Sequence, residues 1–518
     1  MMGPIEIRKG TVAINAASSV LRKGLVLGIL VWAQQYLLRR NTPEEYALLP
    51  VLTSLMVFLP LLSTLVSSGL RRYVTEAYAR GETGRVTELV STIFPMVFGI
   101  AMVILLVGGT VAWYVGDLLT IDAAQLGQAR GMFLMLVVSA CLRVAFAPFG
   151  LGFDLRQKFL MRNLVSLGSE LLRVGLLIAL FRISPRVMWV VVSGLGSTIA
   201  ELVVVAWLSR RLVPELVFRP KLFRRASARS VISFGGWTVL NQVALLIREA
   251  ADPLILNKLS NPVQVNSFHM GALFDRHIRA TFLEASATAQ PAVTAMHATD
   301  QADRLRRAYF RVSRYSLWIL LFFSIPMIVY RDEIYALYLR ERYSTYASAA
   351  IVMALLLSRA VVIFPNSVLG MVAAAKEEVR AVAIRACVVS AANLALTFYF
   401  VGVLDMGAVG SALATVLVTF IGAPTLNWPL GLRLTGSTFR DWWRASVWPG
   451  FLPGLCAGPI WLGAHALFSV RGWSGLGAHV LAGALVYGLA LLLFAASRAE
   501  RADLARLWRN RIRSLVPR

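Results

Sequence analysis

Basic side chains inside long apolar segments are the residues of this sequence best suited to chemistry. An ionised side chain in the bilayer core is costly unless it faces water, protein or a ligand. Arginine presents a rigid fork of N–H donors that fits the oxygens of a phosphate group. The pattern predicts a cationic cavity for an anionic ligand, and the predicted binding residues for its phosphate groups are Arg22, Lys23, Arg143, Arg359, Arg248 and Arg276.

Some of the charged residues in these segments are spaced as ion pairs. Residues three or four apart on a helix face each other. That spacing predicts ion pairs within single helices for Glu170 with Arg173, Arg248 with Asp252, and Asp275 with Arg279. No acidic residue stands at that spacing from four basic residues near the expected bilayer midplane, which are Arg22, Lys23, Arg143 and Arg359. These four either line the cavity or pair across helices in buried positions, and both alternatives stay open.

The histidines and cysteines form no recognisable site. His269, His277 and His297 share one predicted helix at a spacing that gives no metal constellation, which favours packing or a polar cavity lining. All three cysteines lie inside apolar segments, which argues against a disulfide framework and against a cysteine-based metal site. No metal site is predicted.

Apolar segments long enough to span a membrane position these charges. The chain has 518 residues, of which 58% are hydrophobic and 15% charged, and its mean hydropathy is +0.67. Segments of about 20 apolar residues cross the ~30 Å hydrocarbon core as helices, because lipid offers the backbone no hydrogen-bond partners. The predicted fold is an all-α integral membrane protein of about fourteen helices, near residues 11–38, 46–70, 89–116, 130–153, 163–182, 187–208, 231–257, 267–297, 310–330, 345–372, 381–402, 407–430, 446–469 and 476–497.

Basic residues are concentrated in every second connecting loop. Examples are the loops 209–230, 299–314, 373–385 and 431–445, and the tail 497–518 is basic as well. Because cytoplasmic loops carry such an excess, both termini are predicted to be cytoplasmic. Topology and attraction to the headgroups of membrane lipids then explain the net charge of +25, and no nucleic-acid partner is expected. The tail is expected to lie on the cytoplasmic leaflet as a basic amphipathic helix.

Two internal matches indicate a repeat. YLLRRNTPEEYALLPVL from Tyr36 matches LILNKLSNPVQVNSFHMGAL from Leu254, and GSTIAELVV from Gly196 matches GSALATVLV from Gly410 at a similar offset. Chance similarity between membrane helices is the alternative. Six helices in each repeat give two parallel lobes. The predicted division is an N-lobe at 1–208, a basic cytoplasmic linker at 209–230, a C-lobe at 231–430, a two-helix appendage at 431–497 and a basic amphipathic cytoplasmic tail at 498–518.

Motifs of common enzymes are absent from the sequence. It contains no GxxxxGK[ST] nucleotide-binding loop, no HExxH zinc motif and no GxSxG nucleophile elbow. No polar stretch is long enough to fold as a soluble catalytic domain. Transport is therefore favoured over the alternative of a membrane glycosyltransferase, ligase or polymerase, and no catalytic residue is assigned.

Three stretches of the chain carry a family resemblance. They read VLRKGLVLGILVWAQQYLLRRNTPEEYALLPVLTSL from Val20, SSGLRR at 67–72 and GAVGSALATVLV at 407–418. Together they resemble the polysaccharide-transporter (O-antigen flippase-like) branch of the MOP (multidrug/oligosaccharidyl-lipid/polysaccharide) exporter superfamily. The resemblance covers roughly the first twelve helices.

The resemblance implies a two-lobed, alternating-access flippase in the bacterial inner membrane. Its substrate would be a polyprenyl-diphosphate-linked oligosaccharide, and its partners would include polysaccharide polymerase and glycosyltransferases. Basic residues of the first helix commonly line the central cavity in this family, and here they are Arg22 and Lys23. The cation site that some relatives build from helices 7, 11 and 12 has no clear counterpart here, and no cofactor is implied beyond a coupling ion, Na⁺ or H⁺. The candidate residues for that ion are Glu249, Asp252, Asn393, Thr415, Glu201 and Glu284.

Two other transport functions remain open within the superfamily. Lipid II flippases share the fourteen-helix count, so transport of a peptidoglycan precursor is the nearest alternative. A cation-coupled drug or metabolite antiporter is the other, but an acidic cavity would suit cationic drugs better than these basic residues do.

Overall fold

The computed structural model describes residues 28–29, 31–56, 74, 77–78, 80–156, 158–224, 250–287, 293, 301–376, 378–497 and 500–501. Regular structure in these ranges is helical and includes no strand. The predicted all-α membrane fold is confirmed. Residues 31–40 and 250–259 are helical in addition to the helices named below.

The named helices follow one another in chain order. Those before residue 300 are α1 (Pro43–Leu55), α2 (Thr83–Trp113), α3 (Val115–Leu118), α4 (Leu126–Phe146), α5 (Leu151–Leu155), α6 (Phe159–Phe181), α7 (Met188–Leu212) and α8 (Pro262–Ala287). Those after it are α9 (Ala302–Val329), α10 (Arg331–Leu339), α11 (Ser348–Ser358), α12 (Ala360–Ile363), α13 (Leu369–Ala375), α14 (Val379–Phe398), α15 (Gly407–Gly422), α16 (Trp428–Thr435), α17 (Phe439–Trp442), α18 (Trp448–Leu467) and α19 (Gly472–Ala490).

Short irregular turns interrupt or extend several of these helices. The 3₁₀ turns are Ala147–Gly150, Pro220–Leu222, Arg340–Arg342 and Phe364–Asn366, and the π-helical turns are Tyr399–Val403, Ala423–Asn427, Trp443–Val447 and Leu491–Ala495. Pro148 and Pro365 stand inside two of the 3₁₀ turns. A proline has no N–H for the helical ladder, so such turns are natural places for a span to change direction.

Nine stretches of the described residues are long and apolar enough to cross a membrane, and each matches a predicted helix. They are Thr83–Trp113, Leu126–Phe153, Leu160–Phe181, Met188–Leu212, Ala302–Val329, Ser348–Ala373, Arg380–Val403, Gly407–Thr435 and Gly472–Ala495. The predicted thirteenth span coincides with helix α18. The predicted spans at 11–38, 46–70, 231–257 and 267–297 lie partly or wholly outside the described residues, so the count of fourteen stays a prediction.

The chain divides into two compact units, and each is described separately. The first unit comprises residues 1–266 and 397–407, and the second comprises residues 267–396 and 408–518. Helices α8 and α14 each contribute residues to both units.

In the first unit, one carboxylate joins the ends of two long helices. Glu45, in the first turn of α1, accepts a hydrogen bond from Gln128 Nε2 at 2.9 Å and another from the Val187 N–H at 2.9 Å. Gln128 lies in the first turn of α4, and Val187 directly precedes α7. The sequence places Glu45 there because Thr42 caps α1, with its Oγ1 accepting from the Glu45 N–H at 3.3 Å. Helices α4 and α7 are thus tied together at one end.

In the second unit, a glycine brings α8 close to α11. A Cβ added at Gly271 would lie 2.6 Å from Val352 Cβ and 2.7 Å from the Ala349 carbonyl oxygen. Such contact is closer than any larger residue allows, so the two helices touch through their backbones. Asp275 lies one helical turn beyond Gly271, and Arg359 lies two turns beyond Val352. The close approach therefore sets the separation of these two charged residues.

The end of the last span is fastened to α9. Ser497 and Glu500 form a capping box, in which the Ser497 N–H donates to Glu500 Oε2 at 2.8 Å and the Glu500 N–H donates to Ser497 Oγ at 3.3 Å. Glu500 also pairs with Arg314 and accepts a hydrogen bond from the Tyr315 hydroxyl at 2.8 Å. Burial raises the pKa of the Glu500 carboxyl, but these hydrogen bonds and the charge of Arg314 outweigh it, so the pKa lies below its ordinary value. Of the amphipathic tail predicted at 498–518, only residues 500 and 501 are described, so that prediction is not tested.

Replacing Gly271 with alanine should destabilise the protein, because the added methyl group would force α8 away from α11. Overpacking of this kind costs about 1–3 kcal/mol. The midpoint of thermal unfolding in detergent, measured by tryptophan fluorescence, should fall. The matched control is Gly463→Ala in α18, where nothing lies within 4 Å of the added Cβ. Equal midpoints for Gly271→Ala and the wild type would contradict the close packing.

Candidate substrate site

A half-exposed arginine lies near the middle of a membrane span in the first unit. Arg143 is in α4, and its side chain is 56% exposed although the span Leu126–Phe153 is apolar. Its Nη2 donates a hydrogen bond to Thr198 Oγ1 at 2.8 Å, and its Nη1 lies 3.7 Å from Glu201 Oε2. Thr198 and Glu201 are three residues apart on α7, so both face α4 from adjacent positions. The guanidinium group is thus held by an acceptor and a carboxylate of the neighbouring span.

Two serines extend this cluster over three helices. Ser139, one turn before Arg143, lies 3.4 Å from Thr198 Oγ1. Ser169 of α6 donates to Glu201 Oε2 at 3.4 Å and to the Ser197 carbonyl oxygen at 3.2 Å. Helices α4, α6 and α7 therefore share one polar cluster inside apolar spans. We call it the Arg143 cluster, and it comprises Ser139, Arg143, Ser169, Thr198 and Glu201.

A second ion pair in the first unit stays within one helix. Arg173 Nε donates to Glu170 Oε1 at 3.1 Å, and the same carboxylate oxygen pairs with Arg173 Nη2. Both residues belong to α6, and both side chains are mostly buried. The same-helix pair predicted from their spacing is confirmed. Its geometry is that of a neutralised structural pair.

The second unit holds a buried carboxylate between two arginines. Asp275 Oδ2 accepts a hydrogen bond from Arg279 Nε at 2.9 Å on the same helix, which confirms the pair predicted for these two residues. The same oxygen pairs with Arg359 Nη2, and Asp275 Oδ1 accepts from Arg359 Nε at 3.4 Å. The side chains of Asp275 and Arg359 are each only 6% exposed. We call these three residues the Asp275 triad.

Of the two alternatives left open for Arg359, the structure shows the buried pair across helices. No acidic residue lies one helical turn from Arg359 in the sequence. Its partner, Asp275, lies on α8, 84 residues earlier in the chain. Arg359 therefore does not present a freely exposed charge to a ligand in this structure. Arg143 takes an intermediate position, since it also pairs across helices but keeps more than half of its side chain exposed.

Arg276 bonds to its own helix. Its Nη2 donates to the His269 carbonyl oxygen at 2.9 Å and lies 3.2 Å from His269 Nδ1. The Arg276 Nε lies 3.4 Å from the Ala272 carbonyl oxygen. His277 Nδ1 lies 2.9 Å from the Leu273 carbonyl oxygen. Both histidines are thus engaged with the main chain or with arginine, as structural side chains of a helix commonly are.

The candidate coupling residues form two buried hydrogen bonds. In the first unit, Thr397 Oγ1 donates to Asp252 Oδ1 at 3.3 Å. In the second unit, Asn393 Nδ2 donates to Thr415 Oγ1 at 3.1 Å. Asn393 and Thr397 lie four residues apart on α14, so they occupy one face of that helix. Carboxylate, amide and hydroxyl oxygens are ligands suited to a hard cation.

Other predicted site residues lie outside the part of the chain that the structure describes. They are Arg22, Lys23, Arg248, Glu249 and His297, together with the side chain of Glu284. Among the described residues, no group of three or more His, Cys, Asp and Glu side chains could hold a metal ion. The three cysteines form no disulfide.

Sequence reasoning missed the hydroxyl groups that complete the Arg143 cluster. Ser139 and Thr198 stand one turn from Arg143 and Glu201, and that spacing is visible in the sequence. It is a weak signal, because hydroxyl side chains in helices often bond to their own backbone. Ser197, for example, donates to the Gly194 carbonyl oxygen at 3.0 Å.

Comparisons with known proteins give the family and the fold. The family model described as polysaccharide biosynthesis protein matches residues 38–348, which is more than half of the chain. The uncharacterized membrane protein EpsK of Bacillus subtilis (strain 168) is 20% identical over 245 residues, or 47% of this chain and 48% of EpsK. The chain thus spans about half the length of this relative.

Two solved structures share the fold of most of the chain at low identity. A lipid II flippase MurJ in an inward closed conformation gives a TM-score of 0.73 at 13% identity, covering 93% of this chain and 98% of the other. An inward-facing multidrug resistance MATE family transporter of the MOP superfamily gives 0.63 at 13% identity, covering 80% and 94%. The predicted resemblance to the fold of MOP exporters is confirmed, and the family model agrees with the predicted link to polysaccharide biosynthesis.

Replacing Arg359 with glutamine should destabilise the second unit, because Asp275 would stay buried with one arginine fewer. We expect a loss of about 3 kcal/mol, the low end for breaking a buried ion pair, since Arg279 remains in place. Denaturant unfolding in mixed micelles, followed by tryptophan fluorescence, measures the loss.

The control for this measurement is Arg433→Gln, which breaks an exposed pair with Glu378 at 3.5 Å. It should cost less than ~1 kcal/mol. Losses of the same size for the two variants would contradict the buried triad.

Proposed function

Because the chain belongs to the polysaccharide biosynthesis protein family, we propose that it is a flippase for a lipid-linked oligosaccharide. The substrate is a cell-surface polysaccharide precursor carried on a polyprenyl diphosphate, and it crosses the bacterial inner membrane by alternating access. The family name and the fold support a membrane transporter. The substrate class is supported by the charged residues within the spans.

The observation that carries the proposal is the exposed guanidinium of Arg143 in mid-span. Exposure of this group to hydrocarbon is too costly, so the exposed part of Arg143 faces water or a ligand. Glu201 and Thr198 hold the guanidinium without covering it. A positively charged group that is fixed, hydrated and only partly neutralised is a suitable partner for an anion.

A diphosphate makes the best use of such groups. Arginine binds phosphate oxygens through two parallel N–H bonds, and each such bond is charge-assisted. Transport through the bilayer also requires that two phosphates be kept away from hydrocarbon while the glycan stays hydrated. The residues proposed to bind the diphosphate are Arg22, Lys23, Arg143, Arg359, Arg248 and Arg276.

The proposed transport cycle uses two lobes of six helices that rock about a fixed site. The substrate enters from the cytoplasmic leaflet and leaves at the outer face. The basic loops orient the chain with both termini in the cytoplasm. Glycosyltransferases that assemble the lipid-linked oligosaccharide and a polymerase that consumes it are the expected partners.

A coupling ion, Na⁺ or H⁺, is proposed at the buried carboxylate of Asp252. Thr397 donates to this carboxylate, and Asn393 lies one turn away on the same helix as Thr397. A buried carboxylate that binds a cation or a proton no longer incurs the free-energy cost of an unneutralised buried charge. Ion binding is thereby coupled to a change in packing. Glu201, Glu249 and Glu284 are the further candidates for this role.

The second candidate substrate is lipid II, the peptidoglycan precursor. The fold likeness to a lipid II flippase over nearly the whole chain favours it. Both substrates carry a polyprenyl diphosphate, so the proposed arginine contacts would serve either one. An antiporter for cationic drugs fits less well, because the exposed charge of Arg143 is positive.

Replacing Arg143 with glutamine should reduce flipping at least tenfold, because the ligand would lose a charge-assisted contact of about 1.5–3 kcal/mol. The assay uses proteoliposomes with a lipid-linked oligosaccharide in the inner leaflet, and external lectin reports its arrival outside. A parallel series with lipid II in place of the oligosaccharide separates the two candidate substrates.

The control for the flipping assay is Arg433→Gln. Arg433 is exposed in the last turn of α16, so its replacement should leave flipping unchanged. Full activity of Arg143→Gln would exclude the Arg143 cluster as the substrate site. Chemical conversion of the sugar without translocation would exclude the flippase itself.

Replacing Asp252 with asparagine should abolish the response of flipping to an ion gradient, since the carboxylate that binds the cation is gone. Flipping is measured with an inward Na⁺ gradient, with a pH gradient and with neither. The control is Asp303→Asn, because Asp303 is exposed at the start of α9. Stimulation of Asp252→Asn equal to that of the wild type would exclude Asp252 as the coupling residue.

A further inference from the structure

In the Asp275 triad, two arginines converge on one buried carboxylate. One oxygen of Asp275 accepts from Arg279 Nε and pairs with Arg359 Nη2, and the other accepts from Arg359 Nε. Two guanidinium groups that converge on neighbouring oxygens of one anion also form the arrangement by which arginines bind phosphate. The triad contains two positive charges and one negative charge.

The helix that carries Arg359 is broken at this residue. Helix α11 ends at Ser358 and α12 begins at Ala360, so Arg359 stands between the two. Its Nε donates to the Leu356 carbonyl oxygen at 3.1 Å, a bond to its own preceding turn. The 3₁₀ turn that contains Pro365 follows directly after α12. A guanidinium at such an interruption can change partner without a shift of the whole span.

Asp275, the partner of Arg359, lies in a closely packed part of α8. Asp275 lies one turn beyond Gly271, whose backbone contacts α11 directly. The Tyr335 hydroxyl, which is buried, donates to the Met270 carbonyl oxygen at 2.9 Å and fixes the same part of α8. The carboxylate therefore lies in a closely packed part of α8, whereas the Arg359 guanidinium lies at the interruption that follows α11.

We propose that Asp275 is a resident substitute for a phosphate group of the substrate. The phosphate displaces Asp275 from Arg279 and Arg359 when the ligand is bound, and Asp275 returns to both arginines when the ligand leaves. The ligand class rests on the proposed function, because a diphosphate-bearing lipid supplies the competing anion. The replacement of Asp275 by another anion involves only the three residues of the triad, so it can be tested without the lipid.

Competition of this kind follows from charge and burial. A diphosphate offers more oxygens and more negative charge than a carboxylate, so it can outcompete Asp275 for the two arginines. Without a ligand, separation of Asp275 from the two arginines would deprive its buried carboxylate of both positive charges, which is strongly unfavourable. The triad therefore opens only for an anion, and it prevents the empty site from exposing two arginines to hydrocarbon.

Binding of inorganic pyrophosphate to the purified full-length protein tests the exchange directly. The protein is held in nanodiscs of uncharged phosphatidylcholine, and radiolabelled pyrophosphate is titrated at equilibrium. Asp275→Asn removes the competing carboxylate, so its affinity for pyrophosphate should rise at least tenfold over the wild type. Asp275→Glu restores a carboxylate and should bring the affinity back toward the wild-type value.

A charge-matched variant protects the test against a change in net charge or a failure to fold. Asp275→Asn/Arg279→Gln has the same net charge as the wild type but leaves Arg359 without Asp275. It should still bind pyrophosphate more tightly than the wild type. Glu170→Gln, which breaks the same-helix pair with Arg173, is the matched control and should leave the affinity unchanged.

The possible results separate the exchange from the proposed function. If Asp275→Asn and the charge-matched variant both bind pyrophosphate no more tightly than the wild type, the exchange is refuted and the triad is purely structural. Tighter binding by both variants, combined with a wild type that flips no lipid-linked oligosaccharide, would support the exchange and refute the flippase. A wild type that flips the lipid while neither variant gains affinity would refute the exchange alone.

Discussion

An arginine keeps its positive charge at any pH that a cell reaches, so a span that carries one in mid-membrane must supply water, a counter-ion or a ligand. This constraint organises the interior of the protein. Hydrophobic burial alone would favour apolar residues at these positions, since a buried ion pair is seldom more stable than a well-packed apolar pair. The charges therefore cost stability, and we attribute their presence to transport.

The two units meet this constraint in different ways. In the first unit, Arg143 is paired with Glu201 but remains half exposed, which suits a group that meets a ligand in water. In the second unit, Asp275 and Arg359 cover each other, and the pair is buried against close helix packing at Gly271. The first arrangement is available to an anion at once, whereas the second requires the anion to replace a carboxylate.

Much of the fold and part of the site followed from local sequence patterns. Long apolar segments predict the spans because the backbone must satisfy its hydrogen bonds within each helix, and i, i+3 or i, i+4 spacing predicted the Glu170–Arg173 and Asp275–Arg279 pairs. The Arg359–Asp275 pair could not be predicted, because it depends on which two helices are neighbours. The closeness of those two helices also requires a small residue at Gly271, and nothing local distinguishes Gly271 among the 38 glycines of the chain.

We propose that the charged residues within the spans bind the diphosphate of the lipid carrier. A comparison of two lipids in proteoliposomes of the wild-type protein tests this proposal. They carry the same glycan and polyprenyl chain, but one is linked through a diphosphate and the other through an uncharged linker. If the charged residues bind the diphosphate, only the diphosphate-linked lipid should be flipped, and inorganic pyrophosphate should inhibit its flipping. Equal flipping of the uncharged lipid would show that the charged residues do not serve the diphosphate.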